Sequence, residues 1–131
     1  MGQQEAFPQF SFSNPNIDIK IINGIAMVKC FDRIDIYNSP VFDAAIDMLI
    51  QQSKNSVVLN MENVFYIDSS GLGVLISCSR KLNKEGRFFK IVGPGEFVKK
   101  IFNRSRMTTY FDIYETEEDA LRSIDECESA E

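Results

Sequence analysis

Apolar residues in this chain recur with two different periods, and the alternation between them leaves few folds open. Ile17, Ile19 and Ile21 alternate with Asp18 and Lys20, the period-2 pattern of a half-buried strand. Asn23-Gly24 follows, a dipeptide that tolerates the positive φ of a type I′ turn, and Ile25 to Phe31 returns as a second strand. The spacing then changes. Phe42, Ala45, Ile46, Leu49 and Ile50 fall three and four apart and make one apolar helical stripe, with Ser39 as N-cap and Pro40 in the first helical position. Val57-Val58-Leu59 is a short continuous run, as in a strand buried on both faces, and Asn63 to Ile67 reads as a loop. Leu72, Leu75, Ile76 and Leu82 mark a second helix with Gly86 as its exit. Phe88 to Val92 is a further strand. Gly93-Pro94-Gly95 turns the chain into a short helix carrying Phe97, Val98, Ile101 and Phe102, and Phe111 to Tyr114 is a weak last strand. Thr116 with Asp119 resembles a capping box, opening an acidic helix with Leu121 and Ile124 inward.

The order is β-β-α-β-α-β-α-β-α. An opening hairpin followed by strands alternating with helices predicts an α/β fold: a mixed, mostly parallel β-sheet with an opening antiparallel hairpin, packed against about four helices. The length of 131 residues suits one domain. Residues 1–15 read as an N-terminal extension with neither period, disordered or adding briefly to a sheet edge; residues 16–126 read as the domain, and 127–131 as an acidic tail.

The chain contains no histidine. That removes Ser-His-Asp and Cys-His catalysis, His-ligated metals and the commonest general base, and it argues against a hydrolytic enzyme. Cys30, Cys78 and Cys127 are odd in number and widely spaced, which suits neither a disulfide framework nor a zinc site. Two are expected in the core and Cys127 on the polar tail. No apolar run is long enough for a membrane span. The N-terminus lacks a secretory pattern, and Ala6 stands where an N-myristoylation motif has Ser or Thr, so the expected location is cytoplasmic with no membrane insertion.

Charge is segregated. Glu115 to Glu131 holds eight acidic residues and one arginine, whereas Arg80 to Arg106 holds nine lysines or arginines and two glutamates. The segments read as solvated surfaces of opposite sign, or as a basic face that steers an acidic partner. The whole chain is acidic, with a formal net charge of -5, and no nucleic-acid module is visible, so no nucleic-acid role is expected.

The segment Phe65-Tyr66-Ile67-Asp68-Ser69-Ser70-Gly71-Leu72-Gly73-Val74-Leu75 lies between a buried strand and a helix, so its hydroxyls sit near a helix N-terminus, where free N–H groups and the positive end of the dipole gather. As a cap, Asp68 or a serine satisfies the first turn. As a nucleophile elbow it lacks Gly-x-Ser-x-Gly and the histidine; as a phosphate loop it lacks the lysine. Spacing alone leaves open whether Ser69 or Ser70 is the reactive hydroxyl.

Within this segment, Asp68-Ser69-Ser70-Gly71-Leu72-Gly73-Val74-Leu75 resembles the phosphoacceptor motif of the anti-sigma factor antagonists, a branch of the STAS domain family. Asp35-Ile36-Tyr37-Asn38-Ser39-Pro40 resembles the family's second motif, between the second strand and the first helix. The agreement runs from about Ile17 to Ile124. The resemblance implies a binding module rather than an enzyme, with no cofactor, no metal and no catalytic residue. It implies that the unphosphorylated chain binds an anti-sigma factor that is also a serine kinase of the GHKL ATPase type, and so frees a sigma factor. Phosphorylation of Ser69 ends binding, and a PP2C-type serine phosphatase restores it. Partner-binding residues carried over are Asp35, Asn38, Asp68, Ser69, Ser70, Gly71, Leu72 and Gly73, on a monomer or weak dimer. Asp68 either holds the loop through backbone N–H groups or orients the acceptor hydroxyl or a kinase-bound magnesium. At one position the chain departs from the family pattern: a small residue, commonly glycine, precedes the second-motif aspartate by three, and here Asp32 stands there, followed by Arg33. Two other readings remain beside it: a STAS module in a non-sigma partner-switching, scaffold or transport-accessory system, and a small nucleotide-binding protein or enzyme using Asp68, Ser69 and the basic segment.

Overall fold

The computed structural model describes residues 17–52 and 56–129. The extension 1–15 lies outside the described residues. The elements run β1 (Ile17–Ile22), β2 (Ile25–Ile34), α1 (Ser39–Gln52), β3 (Val57–Ile67), α2 (Ser69–Lys84), β4 (Phe89–Val92), α3 (Glu96–Arg104), β5 (Asp112–Tyr114) and α4 (Glu117–Ser129). The sheet order is β1-β2-β3-β4-β5, antiparallel between β1 and β2 and parallel elsewhere. The expected α/β fold and element order are therefore present.

The order of the strands dictates where the helices go. Each parallel step moves the chain one strand in the same direction, and right-handed crossovers then place their helices on one face of the sheet. Accordingly Phe42, Ile46 and Leu49 of α1, Leu75, Cys78 and Leu82 of α2, and Val98 and Phe102 of α3 share one core cluster with Val28, Leu59 and Ile91. α4 follows the last strand and covers the other face, where Ala120 and Ile124 meet Ile25, Met27, Val58 and Val92. Lys81 of α2 bonds Asp47 (2.6 Å) and Asp43 (3.3 Å) of α1 and ties the two helices side by side. The hydrogen bond to Asp47 is the main cause of the raised Lys81 pKa.

The hairpin turns as expected, with Asn23 at φ 53° and Gly24 at φ 78°. The first helix differs by one residue at its start. Ser39 is already helical, and the Asn38 carbonyl takes the first intrahelical bond from the Phe42 amide. Thr116 caps α4 by accepting from the Asp119 amide at 3.1 Å. α4 continues through exposed Cys127 to Ser129, while Cys30 and Cys78 are buried and burial pushes both thiols well up.

One expectation fails. Asn63 to Ile67 is not a loop but the second half of β3, paired with β2 from Phe31 to Ile34. Two register shifts explain the error. Between Lys29 and Phe31, and again between Asp32 and Arg33, β3 contributes one residue more than β2. Met61, Val64 and Ile67 are buried at every third position, a spacing that a test for alternation does not recognise as strand.

Asp32, the departure from the resembled pattern, sits at the second irregularity with φ 72°. A left-handed backbone costs an ordinary residue about 1–2 kcal/mol, less for Asp. Its ion pair with Arg33 (3.6 Å) is solvent-exposed and offsets little of this. Asp32→Gly is expected to be neutral or stabilising by up to about 1 kcal/mol, and Asp32→Val destabilising by about 1–2 kcal/mol, in urea unfolding at constant m. A clear loss on Asp32→Gly would contradict this account.

Candidate functional site

β2 and β3 are parallel neighbours, so their carboxyl ends lie side by side, and each opens directly into a helix: β2 through Asp35–Asn38 into α1, β3 through Asp68 into α2. The carboxyl edge of a parallel sheet is where loops of different crossovers meet. Both sequence motifs are therefore brought together by the strand pairing itself.

Asp68 joins them. It is the N-cap of α2, with its Oδ1 accepting from the Gly71 amide at 2.9 Å. Its Oδ2 accepts from the Ile36 amide, 32 positions earlier, at 3.0 Å. The Asp68 amide in turn donates to the Ile34 carbonyl at 3.3 Å. Of the two roles considered for Asp68, this geometry favours holding the loop. The second loop is closed on itself. Buried Asp35 accepts through Oδ1 from the amides of Tyr37 (3.0 Å) and Asn38 (3.3 Å). Asn38 Oδ1 accepts from the Asp35 amide at 2.9 Å, and its Nδ2 donates to the Arg33 carbonyl at 2.7 Å. Asp35 and Asn38 thus shape the loop from within, and what they push outward is Ile36 (59% exposed) and Tyr37 (89% exposed).

The remaining motif residues divide by exposure. Ser69 is exposed on the first turn of α2, whereas Ser70 and Leu72 are half-buried. That difference gives Ser69 the better access of the two hydroxyls. Gly71 is buried, and a Cβ there would lie 2.3 Å from the Ile34 carbonyl oxygen and 2.9 Å from Ile67 Cγ1. Only glycine lets the helix seat this closely on the end of β2. Gly73 is the opposite case: it is exposed, and a Cβ there meets nothing within 4 Å.

Several residues at this end of the sheet lie outside the expected partner-binding set. Phe65 (70% exposed), Tyr66, Val41 and Phe97 join Ile36 and Tyr37 as exposed large apolar side chains. Tyr66 stacks on Phe97 of α3 at 5.7 Å between ring centroids, and the Arg33 guanidinium lies 6.0 Å from the Tyr66 ring. Tyr37 and Ile36 lay inside a quoted motif. Phe65 and Tyr66 open the segment that ends at Leu75 but carry no role in the sequence reading, which takes them as loop; with the extra β3 residue placed, they are exposed strand residues between buried Val64 and Ile67. Exposed apolar side chains at the end of the sheet that also carries Ser69 make a surface for protein contact rather than a cleft for a small substrate. No group of acidic or cysteine side chains among the described residues could hold a metal ion, and no helix there is long and apolar enough to cross a membrane.

The two glycines give a paired test. Gly71→Ala is expected to lower unfolding free energy by about 2–3 kcal/mol through overpacking against the Ile34 carbonyl. Gly73→Ala is expected to raise it by about 0.5–1 kcal/mol, because the site has room and helical glycine is costly. Asp68→Ala removes the cap and the cross-link together, with an expected loss of about 1–3 kcal/mol and faster amide exchange at both Gly71 and Ile36. Protection lost at Gly71 alone would show that the Ile36 bond contributes nothing.

The chain is similar to several proteins named as anti-sigma factor antagonists. It is 27% identical over 89 residues to the anti-sigma-B factor antagonist of Staphylococcus aureus, covering 68% of this chain and 82% of that protein. The fold matches the anti-sigma factor antagonist SpoIIAA in its unphosphorylated form with a TM-score of 0.74 at 22% identity, over 82% of this chain and 95% of the other. It also matches the Bacillus cell fate determinant SpoIIAA in the phosphorylated form, with a TM-score of 0.67 at 20% identity over 82% and 98% of the two chains. The STAS domain model matches residues 16–120, from the opening hairpin through both motif loops to the start of α4, and the chain belongs to the STAS domain family.

Proposed function

We propose that this chain is a phosphorylation-switched anti-sigma factor antagonist acting in the cytoplasm. Unphosphorylated, it binds an anti-sigma factor that is also a serine kinase of the GHKL ATPase type and so releases a sigma factor. Phosphorylation of Ser69 ends that interaction, and a PP2C-type phosphatase restores it. The observation that carries the reading is an exposed Ser69 at the first turn of α2, with exposed Ile36, Tyr37, Phe65 and Tyr66 at the same carboxyl end of β2 and β3. The relatives named as anti-sigma factor antagonists support the role, and one relative of the same fold is described in unphosphorylated and phosphorylated forms.

The proposed switch follows from charge. A phosphate adds roughly −1.5 to −2 charge. At a helix N-terminus that charge is locally favoured, by about 0.3–1 kcal/mol on an exposed surface, so α2 stays folded. A partner packed over Ser69 meets a bulky dianion in a desolvated contact instead. Losing about 3–4 kcal/mol of binding weakens a complex some hundreds-fold.

Ser69→Ala is expected to bind the kinase as the unmodified chain does and to take no phosphate. Ser69→Asp is expected to bind more weakly with the fold retained. Both are read by titration with the purified cognate kinase, and by mass after incubation with kinase and ATP. Equal affinity of the two variants would sink the mechanism. Amide spectra before and after phosphorylation are expected to differ only around Asp68 to Leu75; widespread shifts would favour a conformational switch.

A further inference from the structure

α2 carries one stripe, half-buried at Ile76 and Ser77 and exposed elsewhere, whose basic end neither packing nor capping explains in full. Ser69, Gly73, Ile76, Ser77, Arg80 and Lys84 follow each other at steps of three and four, apart from the single Ile76–Ser77 step, so they descend one side of the helix from the proposed phosphoacceptor. From Gly73 down, with Lys81 at the margin, they line a shallow groove of ≈ 290 Å³. Gly73 opens its upper end, where backbone is accessible and nothing fills the space of a side chain. Half-buried Ile76 gives an apolar patch in the middle. Exposed Arg80 and Lys84 close the lower end, and neither joins an ion pair among the described residues. Lys81, beside them, is held by Asp43 and Asp47. Lys84 lies in the last turn, where a cation suits the helix dipole; Arg80 lies before that turn and has no such account.

Among the described residues no carboxylate pairs with Arg80 or Lys84. The acidic surplus of the chain is on α4, which packs on the opposite face of the sheet. Helix, sheet and helix intervene, which exceeds the Debye length of about 8–10 Å at ordinary ionic strength.

We infer that this stripe is an electrostatic extension of the docking surface and takes an acidic, amphipathic segment of the protein that reads Ser69. The inference rests on the partner-binding reading of Ser69 and adds the chemistry of the partner. An apolar side chain of that segment lies over Gly73 against Ile76, while its carboxylates meet Arg80 and Lys84. Charges so placed at the edge of an interface act mainly on encounter rate and partner choice. The geometry also explains an unfavourable glycine in an exposed helix: a side chain at position 73 would occupy the approach path.

The probe is a synthetic helical peptide with leucines along one side and glutamates along the other, titrated into the ¹⁵N-labelled full chain. The control is the same peptide with lysine for glutamate. With the acidic peptide, amide shifts are expected at Gly73, Ile76, Ser77, Arg80 and Lys84. The affinity is expected to fall on the order of tenfold in the Arg80→Glu/Lys84→Glu double variant, and several-fold between about 50 and 300 mM salt. Gly73→Leu, whose side chain enters open space, is expected to abolish the shifts and serves as a second variant should the double one fail to fold. Equal shifts from the lysine peptide, unchanged affinity in the variants, or shifts confined to other elements would overturn the inference. So would concentration-dependent shifts of this stripe together with α4 in the absence of peptide, which would assign the groove to a second copy of the chain. The titration contains no kinase, so its failure leaves the Ser69 reading to the Ser69→Asp measurement.

Discussion

Both carboxylate oxygens of Asp68 are used, and the site exists because they are used in different loops. One satisfies the first turn of α2 through Gly71; the other holds the Ile36 amide of a loop that the sequence places 32 residues away. Hydrogen bonds to a charged acceptor contribute about 1.5–3 kcal/mol each, enough to decide the position of a short loop but not to fold a domain. Gly71 completes the arrangement by letting α2 rest against the Ile34 carbonyl. A carboxylate at position 68 and a missing Cβ at 71 are thus two halves of one constraint. It fixes where Ser69, Ile36 and Tyr37 stand relative to one another.

The same economy appears at the level of topology. Because the parallel strands follow one another in sequence order, α1, α2 and α3 fall on one face and α4 alone is left for the other. The charge segregation visible along the chain then becomes a segregation in space. The acidic helix lies on one side of the sheet, and the basic stripe of α2 lies on the side that also carries the proposed acceptor. A basic surface beside an exposed serine is not what a purely structural helix requires. Its nearest cation, Lys81, shows what the structural use looks like: both neighbouring aspartates are within bonding reach, and among the described residues no other α2 cation is so held.

Much of this was legible in the chain. Alternation at Ile17–Ile21, the Asn23-Gly24 turn and the helical stripe from Phe42 to Ile50 depend on local geometry, and local geometry is what periodicity reports. The second half of β3 was not legible, because its burial repeats every third residue once two extra residues are inserted against β2. Such an insertion is a property of the pairing, absent from either strand alone. Asp32 was visible as a departure from the resembled pattern, but its meaning needed the backbone: the position has φ 72°, which glycine adopts without strain. Likewise the motif residues Asp35 and Asn38 could be named from the pattern, while their inward orientation, and the outward thrust of Ile36 and Tyr37, follow only from hydrogen bonds closed within the loop.

The site also bears on why a phosphate there would act on a partner rather than on the scaffold. A dianion on Ser69 would stand near the Asp68 carboxylate, and at roughly 5–6 Å in water two such groups repel by less than about 2 kcal/mol. The helix N-terminus returns about 0.3–1 kcal/mol of that. The residue is smaller than the two charge-assisted bonds that anchor Asp68, so the loop remains closed. Once a partner excludes water, the effective dielectric falls to about 20, and the same charges interact about four times more strongly. The field that the free chain tolerates is therefore the field that a docked surface does not. A switch of this kind requires the acceptor to be exposed in the free protein and covered in the complex, and it requires nothing beneath it to move.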